Sequence, residues 1–284
     1  MPGNPPAYRV KIGRSALVLA AGLALLASAA VASAQLSESE VARRPFWETF
    51  LRKARITGAE NIGEGVTRPK KLRLERDGVV AHGVWKRPSF SGSGRFDRWE
   101  HEVAAYRLDK LLGLDMVPPA VERSYHGYAG SLVLWMDLSR SGLTPGEEGP
   151  GASDAWREKA ERAAGLQRAF DSLMANADRT LQNLRYTEDG RLILIDHSQC
   201  FRDLPPYTGR LIYAVTDSPE ERGIARLPRA FVERLRSLTQ AKVRAAVEDY
   251  LTSSEIEQLL VRRDLLLAGL ESLVRARGEE KVIY

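Results

Sequence analysis

A polar segment in the second half of the chain carries acidic and amide side chains that could do chemistry. An apolar helical pattern leads into a loop that holds Asp178 and, five residues on, Asn183; an apolar strand pattern then ends at Asp196. Phosphoryl transfer uses one carboxylate near the acceptor hydroxyl, and amide and carboxylate oxygens that hold metal ions against the phosphates. We therefore expect Asp178 to be the base or acceptor-orienting residue, and Asn183 and Asp196 to be ligands of Mg²⁺ or Mn²⁺.

The same residue types also have an ordinary structural use. Asp and Asn are common in turns, so Asp178 or Asn183 alone would be interpreted as a loop residue. Asp196 favours the functional interpretation, because a carboxylate that follows the apolar run 192–195 is expected to be buried and to need a partner.

The first half of the chain supplies a cation for such a site. Val84 and Lys86 share one face of a predicted strand, because strand side chains alternate with period two. Glu102 follows near the start of a predicted amphipathic helix. A strand lysine paired with a helix glutamate places a cation over the α- and β-phosphates of ATP. Alone, Lys86 would be a solvated strand end and Glu102 a favourable charge at a helix N-terminus.

Two glycines before this strand are candidates for a turn that covers the phosphates. Gly63 and Gly65 have the spacing of the first two glycines in a Gly-x-Gly-x-x-Gly loop. The third glycine of that pattern is missing, so the pair is weak support.

The elements that would position these residues fall into two groups. Short strands and one helix come first: strands at 71–74, 79–85 and 131–136, a Ser/Gly loop at 89–94, and a helix at 97–112. Asp77-Gly78 predicts a hairpin turn between the first two strands. After a Gly/Pro-rich stretch come helices at 154–174, 227–250 and 254–277, with one strand at 191–195. This order predicts an α+β fold of two unequal lobes, with a ligand in the crevice between them.

The N-terminal segment has the pattern of an export signal. Arg9, Lys11 and Arg14 precede an apolar run from 16 to 32, and Ala32-Ser33-Ala34 supplies small residues for cleavage. The run is near the lower limit for a membrane span, so an uncleaved anchor is the alternative. Either reading places the remainder outside the cytoplasm, periplasmic or secreted, with membrane contact only through this segment if it is uncleaved.

Composition narrows the class of protein further. The 284 residues are 44% apolar and 28% charged, which is typical of a globular protein. The pI of about 9.3 owes much to the basic leader, so it does not indicate a nucleic-acid partner. The single cysteine, Cys200, allows no intramolecular disulfide, so packing must stabilise the fold.

We therefore expect five segments along the chain. They are a signal peptide at 1–34, a helical extension at 35–60, an N-lobe at 61–138, a hinge-proximal loop at 139–153 and a helical C-lobe at 154–284.

Parts of both lobes resemble the four-jointed and related secretory-pathway kinases and, more distantly, the phosphatidylinositol 3- and 4-kinases and the HipA-like kinases. The resemblance spans roughly residues 61–202 and rests on short segments: Trp99 to Asp109, Leu112-Gly113-Leu114, Val117-Pro118-Pro119, Phe170 to Asn183 and Ile195-Asp196.

This resemblance implies an atypical protein-kinase-like fold, with a small β-rich N-lobe and a mostly helical C-lobe. It implies ATP and Mg²⁺ or Mn²⁺ as cofactors and a Lys86–Glu102 ion pair. It also implies that Leu134-Trp135-Met136 leads into the hinge, where Trp135 and Met136 would contact adenine.

Two departures from the relatives' pattern keep alternatives open. Thr180 stands where these kinases usually have histidine, and His197 follows Asp196 where a glycine is expected soon. His197 is either a metal ligand or a packed imidazole. The candidate functions are an active kinase for a protein, sugar or lipid hydroxyl, a nucleotide-binding pseudokinase or binding module without turnover, and a structural envelope protein. The structural envelope protein predicts that the five candidate site residues lie apart in the fold: Lys86, Glu102, Asp178, Asn183 and Asp196.

Overall fold

The computed structural model describes residues 36–63, 69–92, 95–136, 140–141, 154–187, 191–218 and 221–284. The predicted signal peptide, Gly65 and most of the hinge-proximal loop lie outside these residues, so the predictions made for them stay predictions. In the part described, no helix has both the length and the apolar character needed to cross a membrane.

An antiparallel sheet of five strands forms the first lobe of the described chain. Its order is β1 (Arg55–Asn61), β2 (Lys70–Arg76), β3 (Val79–Lys86), β7 (Ser131–Leu134) and β6 (Ala120–Glu122). Between β2 and β3, Asp77 and Gly78 both adopt positive φ, at 51° and 76°. Such backbone angles suit a two-residue hairpin turn, so the predicted turn is confirmed.

Helices cover both faces of this sheet. Helix α2 (Arg44–Lys53) packs Phe50 and Leu51 in a cluster with Leu132 of β7. The next residue, Val133, packs against the main core, which includes the buried face of helix α3 (Trp99–Leu112). Because neighbouring strand side chains point to opposite faces, α2 and α3 lie on opposite sides of β7.

Helices dominate the second lobe. They are α4 (Asp154–Met174), α5 (Arg229–Arg236), α6 (Gln240–Val247), α7 (Ser253–Arg277) and the short α8 (Glu279–Val282). A small antiparallel sheet of β8 (Arg140–Ser141), β9 (Leu184–Tyr186) and β10 (Leu192–Leu194) lies beside them, and β10 packs against α4. The predicted capping box of α7 is present, with Thr252 and Glu255 each bonding the other's backbone N–H.

Three sequence predictions about elements were wrong. The segment 35–60 is helical in α1 (Glu38–Ala42) and α2, but residues 55–60 belong to β1, because they pair with β2. The Ser/Gly stretch at 89–94 contributes β4 (Ser89–Gly92), which pairs with β5 (Arg95–Arg98). The helix predicted at 227–250 is interrupted, because the Thr239 hydroxyl accepts the Lys242 N–H and starts a new helix, α6.

Candidate active site

Lys86 lies at the end of β3 and points towards α3. Val84, two residues earlier on the same face of β3, pairs with Val133 of β7, which faces the main core. Lys86 shares that face and reaches Glu102 in the first turn of α3, with Nζ 2.8 Å from Glu102 Oε1. The same Nζ lies 2.7 Å from Asp196 Oδ1. The structure therefore contains the predicted lysine–glutamate pair and joins Asp196 to it.

The charges of this cluster stabilise one another. Burial disfavours the charged form of Lys86, but the carboxylates of Glu102 and Asp196 outweigh burial and hold its pKa above the ordinary value. Burial also opposes the charge on Glu102, whereas Lys86 and the hydrogen bond from His197 hold its pKa well below the usual range. Both groups are therefore charged at neutral pH.

A cavity of about 460 Å³ opens beside this cluster. Its volume lies within the range of about 300–1,000 Å³ that is usual for small-ligand sites. Apolar side chains form most of the wall: Val84, Pro118, Val133, Leu134, Trp135, Met136 and Ile195. The charged side chains in the wall are Lys86, Glu102, Arg185 and Asp196. The cavity thus has the predicted Trp135 and Met136 in its wall, together with the lysine cluster.

The backbone of Asp196 adopts an uncommon conformation. Its φ is 60°, in the left-handed region that non-glycine residues rarely occupy. Such a conformation costs on the order of 1–3 kcal/mol and persists only where the surroundings impose it. Here the carboxylate accepts from Lys86 Nζ at 2.7 Å and from Ser198 Oγ at 3.3 Å. The strain, together with the two donors, makes Asp196 a candidate for function rather than an ordinary turn residue.

Asp178 and Asn183 lie next to Asp196 but not in the cavity wall. The Ile195 N–H donates to the Asn183 carbonyl at 3.2 Å, which places Asn183 beside the end of β10. Partial burial and the negative charges of Asp196 and Asp97 raise the pKa of Asp178. The five predicted polar residues are therefore gathered in one region, and the expectation of the structural-protein hypothesis, that they lie apart, fails.

A buried ion pair holds this loop in place. Arg179 donates to both carboxylate oxygens of Asp171 in α4, each at 3.0 Å. Its remaining nitrogen donates to the carbonyl of Ile195 at 2.7 Å and to that of Asn183 at 3.3 Å. Arg179 therefore connects α4 to the backbone of Asn183 and to that of Ile195, the residue before Asp196.

We expect Asp171→Asn to lower the free energy of unfolding by about 3–5 kcal/mol, because it leaves the buried Arg179 guanidinium without its countercharge. Urea unfolding followed by tryptophan fluorescence measures this change. The control is Glu279→Gln, which breaks an ion pair with Arg229 that is about half exposed, and which is expected to cost less than about 1 kcal/mol. Equal effects of the two substitutions would contradict the role given to Arg179.

Sequence reasoning missed three residues of this region. Asp97 was assigned to a predicted helix but lies on β5, where it accepts from Ser198 Oγ at 2.8 Å. Ser198 carried no signal beyond its place in the loop after Asp196. Arg185 lines the cavity from β9, and no local pattern in the sequence marks it.

Of the two glycines predicted to cover the phosphates, Gly63 lies within the described residues. Gly63 follows β1 with a φ of 63° and is not part of the cavity wall. Gly65 lies outside the described residues. A phosphate-covering role for this pair therefore stays a prediction.

His197 and Cys200 are packed inside the loop after Asp196. The His197 backbone N–H donates to Glu102 Oε2 at 3.1 Å, and burial lowers the pKa of its imidazole. Burial raises the pKa of the Cys200 thiol, which disfavours the reactive thiolate. His197 thus has the buried surroundings of the packed-imidazole alternative.

The sequence matches no protein-family model and no curated protein. The structure, however, is similar to solved kinase-like structures. One is hydra Fam20 with sugar, at a TM-score of 0.66 and 18% identity, covering 89% of this chain and 95% of that one. Another is the Golgi casein kinase with Mn and ADP bound, at a TM-score of 0.63 and 12% identity, covering 89% and 80%. These likenesses confirm the two-lobed, kinase-like α+β fold predicted from the resemblance to secretory-pathway kinases.

Proposed function

We propose that this chain is a phosphotransferase that binds ATP with Mg²⁺ or Mn²⁺ and transfers the γ-phosphoryl group to a hydroxyl of a protein, sugar or lipid. One observation carries the proposal. The ammonium group of Lys86 bridges the carboxylates of Glu102 and Asp196. Lys86 and Asp196 are 110 positions apart in the sequence. This bridge lies in the wall of an apolar cavity of nucleotide size.

The cavity suits a nucleotide. Its apolar wall, which includes Trp135 and Met136, matches the flat face of adenine. Lys86 is the cation for the α- and β-phosphates. Arg185 is a second cation in the wall, where its guanidinium could meet ribose or phosphate oxygens.

The oxygen donors suit a hard divalent metal. Within the described ranges, no group of three or more His, Cys, Asp or Glu residues is arranged to hold a metal ion. Mg²⁺ is commonly bound by only one or two carboxylates, with phosphates and water completing its shell. Asn183 and Asp196 would hold the metal, and the Mn and ADP in the Golgi casein kinase structure support this choice. When bound, the metal would neutralise charge on the phosphates.

The remaining chemistry falls to the chain's own residues. Lys86 orients the phosphates, and Asp178 accepts the proton of the attacking hydroxyl. The hydroxyl oxygen then bonds to the γ-phosphorus as the bond to ADP breaks. Because burial and neighbouring carboxylates raise the pKa of Asp178, it is a stronger base than an ordinary aspartate.

Nucleotide binding without turnover is the second candidate function. Thr180 and His197 depart from the pattern of the resembling kinases, and His197 packs directly against Glu102. This candidate requires the same cavity and the same metal ligands. It differs only in the absence of phosphoryl transfer.

We expect millimolar ATP with Mn²⁺ to raise the melting temperature by several degrees, because a ligand at about 100 times its Kd stabilises the folded state by about 2.7 kcal/mol. A thermal-shift assay with ATP, Mn²⁺ and both together measures this effect, and release of labelled phosphate then separates turnover from binding. ATP alone should act more weakly than ATP with metal. An unchanged melting temperature in all three conditions would contradict both candidates.

We also propose that the domain acts outside the cytoplasm, from the leader described above. The expected result is a mature N-terminus at Gln35 after cleavage behind Ala34. N-terminal sequencing of the protein recovered from the extracytoplasmic fraction measures it. Recovery of the full-length chain in the cytoplasm would contradict export.

A further inference from the structure

His101 lies where both lobes and the loop after Asp196 meet. Its side chain is fully buried. Ring atom Nδ1 is 3.2 Å from the Ser198 carbonyl oxygen, and Nε2 is 2.9 Å from Glu255 Oε1. Both neighbours accept hydrogen bonds, so a ring nitrogen that carries a hydrogen donates to the neighbour that faces it. His101 therefore bridges two elements that are far apart in the sequence.

Glu255 is held rigidly at the other end of this bridge. It is the N3 residue of α7, and its Oε2 accepts the Thr252 N–H at 2.7 Å in the capping box. Arg98, at the start of α3, donates to both of its oxygens, at 2.9 and 3.1 Å. We call Arg98, His101 and Glu255 the α3–α7 clamp. Because the capping box holds the Glu255 carboxylate at the first turn of α7, the clamp is fixed to the second lobe.

The clamp is connected directly to the proposed site. The Ser198 carbonyl that accepts from His101 also accepts the Arg98 N–H at 2.9 Å. The Ser198 hydroxyl oxygen lies 2.8 Å from Asp97 Oδ1 and 3.3 Å from Asp196 Oδ1, so its one hydrogen can be donated to either carboxylate. On α3, the residue after His101 is Glu102. The clamp is therefore next to both carboxylates that bind Lys86: Glu102 follows His101 in the sequence, and Asp196 lies near Ser198.

We infer that His101 is a positioning residue that fixes α3 and the 196–201 loop against α7, so that Glu102 and Asp196 both stay within reach of Lys86. That these positions matter for catalysis rests on the proposed function. The hydrogen bonds at Nδ1 and Nε2 of His101 run to Ser198 and Glu255 rather than to the proposed reacting groups. A movement of α3 away from the second lobe would break the contacts of both Arg98 and His101 with the buried Glu255 carboxylate. The lysine–glutamate pair is thus held in place by the fold.

A second buried ion pair on α3 offers a matched control. At the other end of the helix, Arg44 Nη2 lies 2.7 Å from Asp109 Oδ2, with both side chains buried. This pair ties α2 to α3 and makes no contact with Ser198 or Glu255. Its loss is expected to destabilise the protein without moving the loop after Asp196.

The test compares His101→Phe, which keeps a ring but no donor, with His101→Gln, which keeps amide donors. Hydrogen exchange of the amides at 196–201 and the Mn²⁺ concentration for half-maximal ATP binding are measured for both, for Glu255→Gln and for Arg44→Met. We expect faster exchange at 196–201 and an approximately tenfold higher Mn²⁺ requirement in His101→Phe. Glu255→Gln should shift both in the same direction, and His101→Gln should lie closer to wild type.

Arg44→Met is expected to lower the melting temperature while leaving both readouts near wild type. Exchange at 196–201 that changes no more in His101→Phe than in Arg44→Met would overturn the inference. If His101→Phe does not fold, His101→Gln and Glu255→Gln decide the question with the same readouts. A wild-type protein that binds no Mn²⁺ or ATP would refute the proposed function, while the exchange comparison would still test the clamp.

Discussion

Replacing Asp196 with asparagine is expected to lower metal-dependent ATP turnover by about 100- to 1000-fold, the range seen when one preorganised electrostatic group is removed from an active site. The substitution removes the negative charge that would hold the metal and that contacts Lys86 Nζ at 2.7 Å. Asparagine tolerates the left-handed backbone at this position, so the loop should still fold. Initial rates of phosphate release with Mn²⁺ and with Mg²⁺ measure the effect.

The matched control for this variant is Asp264→Asn on α7. Asp264 is 63% exposed and pairs only with its neighbour Arg263 among the described residues. It should turn over ATP at the wild-type rate. If Asp196→Asn also retained the wild-type rate, the role of Asp196 as principal metal ligand would be wrong.

Lys86→Met is expected to have a large effect on both turnover and stability. Loss of the phosphate-contacting cation should reduce turnover by about 100-fold or more. It also leaves Glu102, which is 3% exposed, without its main countercharge. Breaking a buried pair in this way typically costs about 3–5 kcal/mol of unfolding free energy.

The stability loss in Lys86→Met should depend on pH in a defined direction. Because Lys86 lowers the pKa of Glu102, the pair stabilises the fold above the ordinary glutamate value of 4.5 and this stabilisation fades as pH falls. The difference between wild type and variant should be largest near neutral pH and should shrink only below about pH 4.5, towards the much lower pKa of Glu102 in the folded wild type. Urea unfolding between pH 7 and about pH 2 measures it, with Lys53→Met on the exposed end of α2 as control. A difference that stays constant down to about pH 2 would contradict the charge pairing.

Several polar residues of the site could be predicted from the sequence. Period two on β3 correctly placed Lys86 on the same face as Val84, and the helical pattern placed Glu102 in the first turn of α3. Asp196 was identified because a carboxylate after an apolar strand is expected to need a partner. These predictions rest on local periodicity, which the sequence specifies directly.

Contacts between distant segments could not be predicted in this way. His101 and Glu255 are 154 positions apart, and Glu255 alone fits an ordinary role in a helix N-terminal turn. The same holds for Asp97 and Ser198, which meet only because β5 lies beside the loop after Asp196. No local pattern specifies which buried polar groups will find each other once the chain has folded.

The errors in the predicted elements have a similar cause. Residues 55–61 follow a well-formed amphipathic helix and carry no strong strand pattern of their own. They form β1 because β2 offers a row of backbone groups to pair with, which is tertiary context rather than local propensity. The longest helix, α7, was predicted to within one residue because its capping box and length are both local signals.

The most direct test of the shared nucleotide–metal site is a crystal structure grown with Mn²⁺ and a non-hydrolysable ATP analogue, with anomalous scattering used to locate the metal. We predict a manganese peak between the side chains of Asn183 and Asp196, adenine against Trp135 and Met136, and Lys86 beside the α- and β-phosphates. Manganese bound away from Asp196, or a nucleotide outside this cavity, would contradict the account.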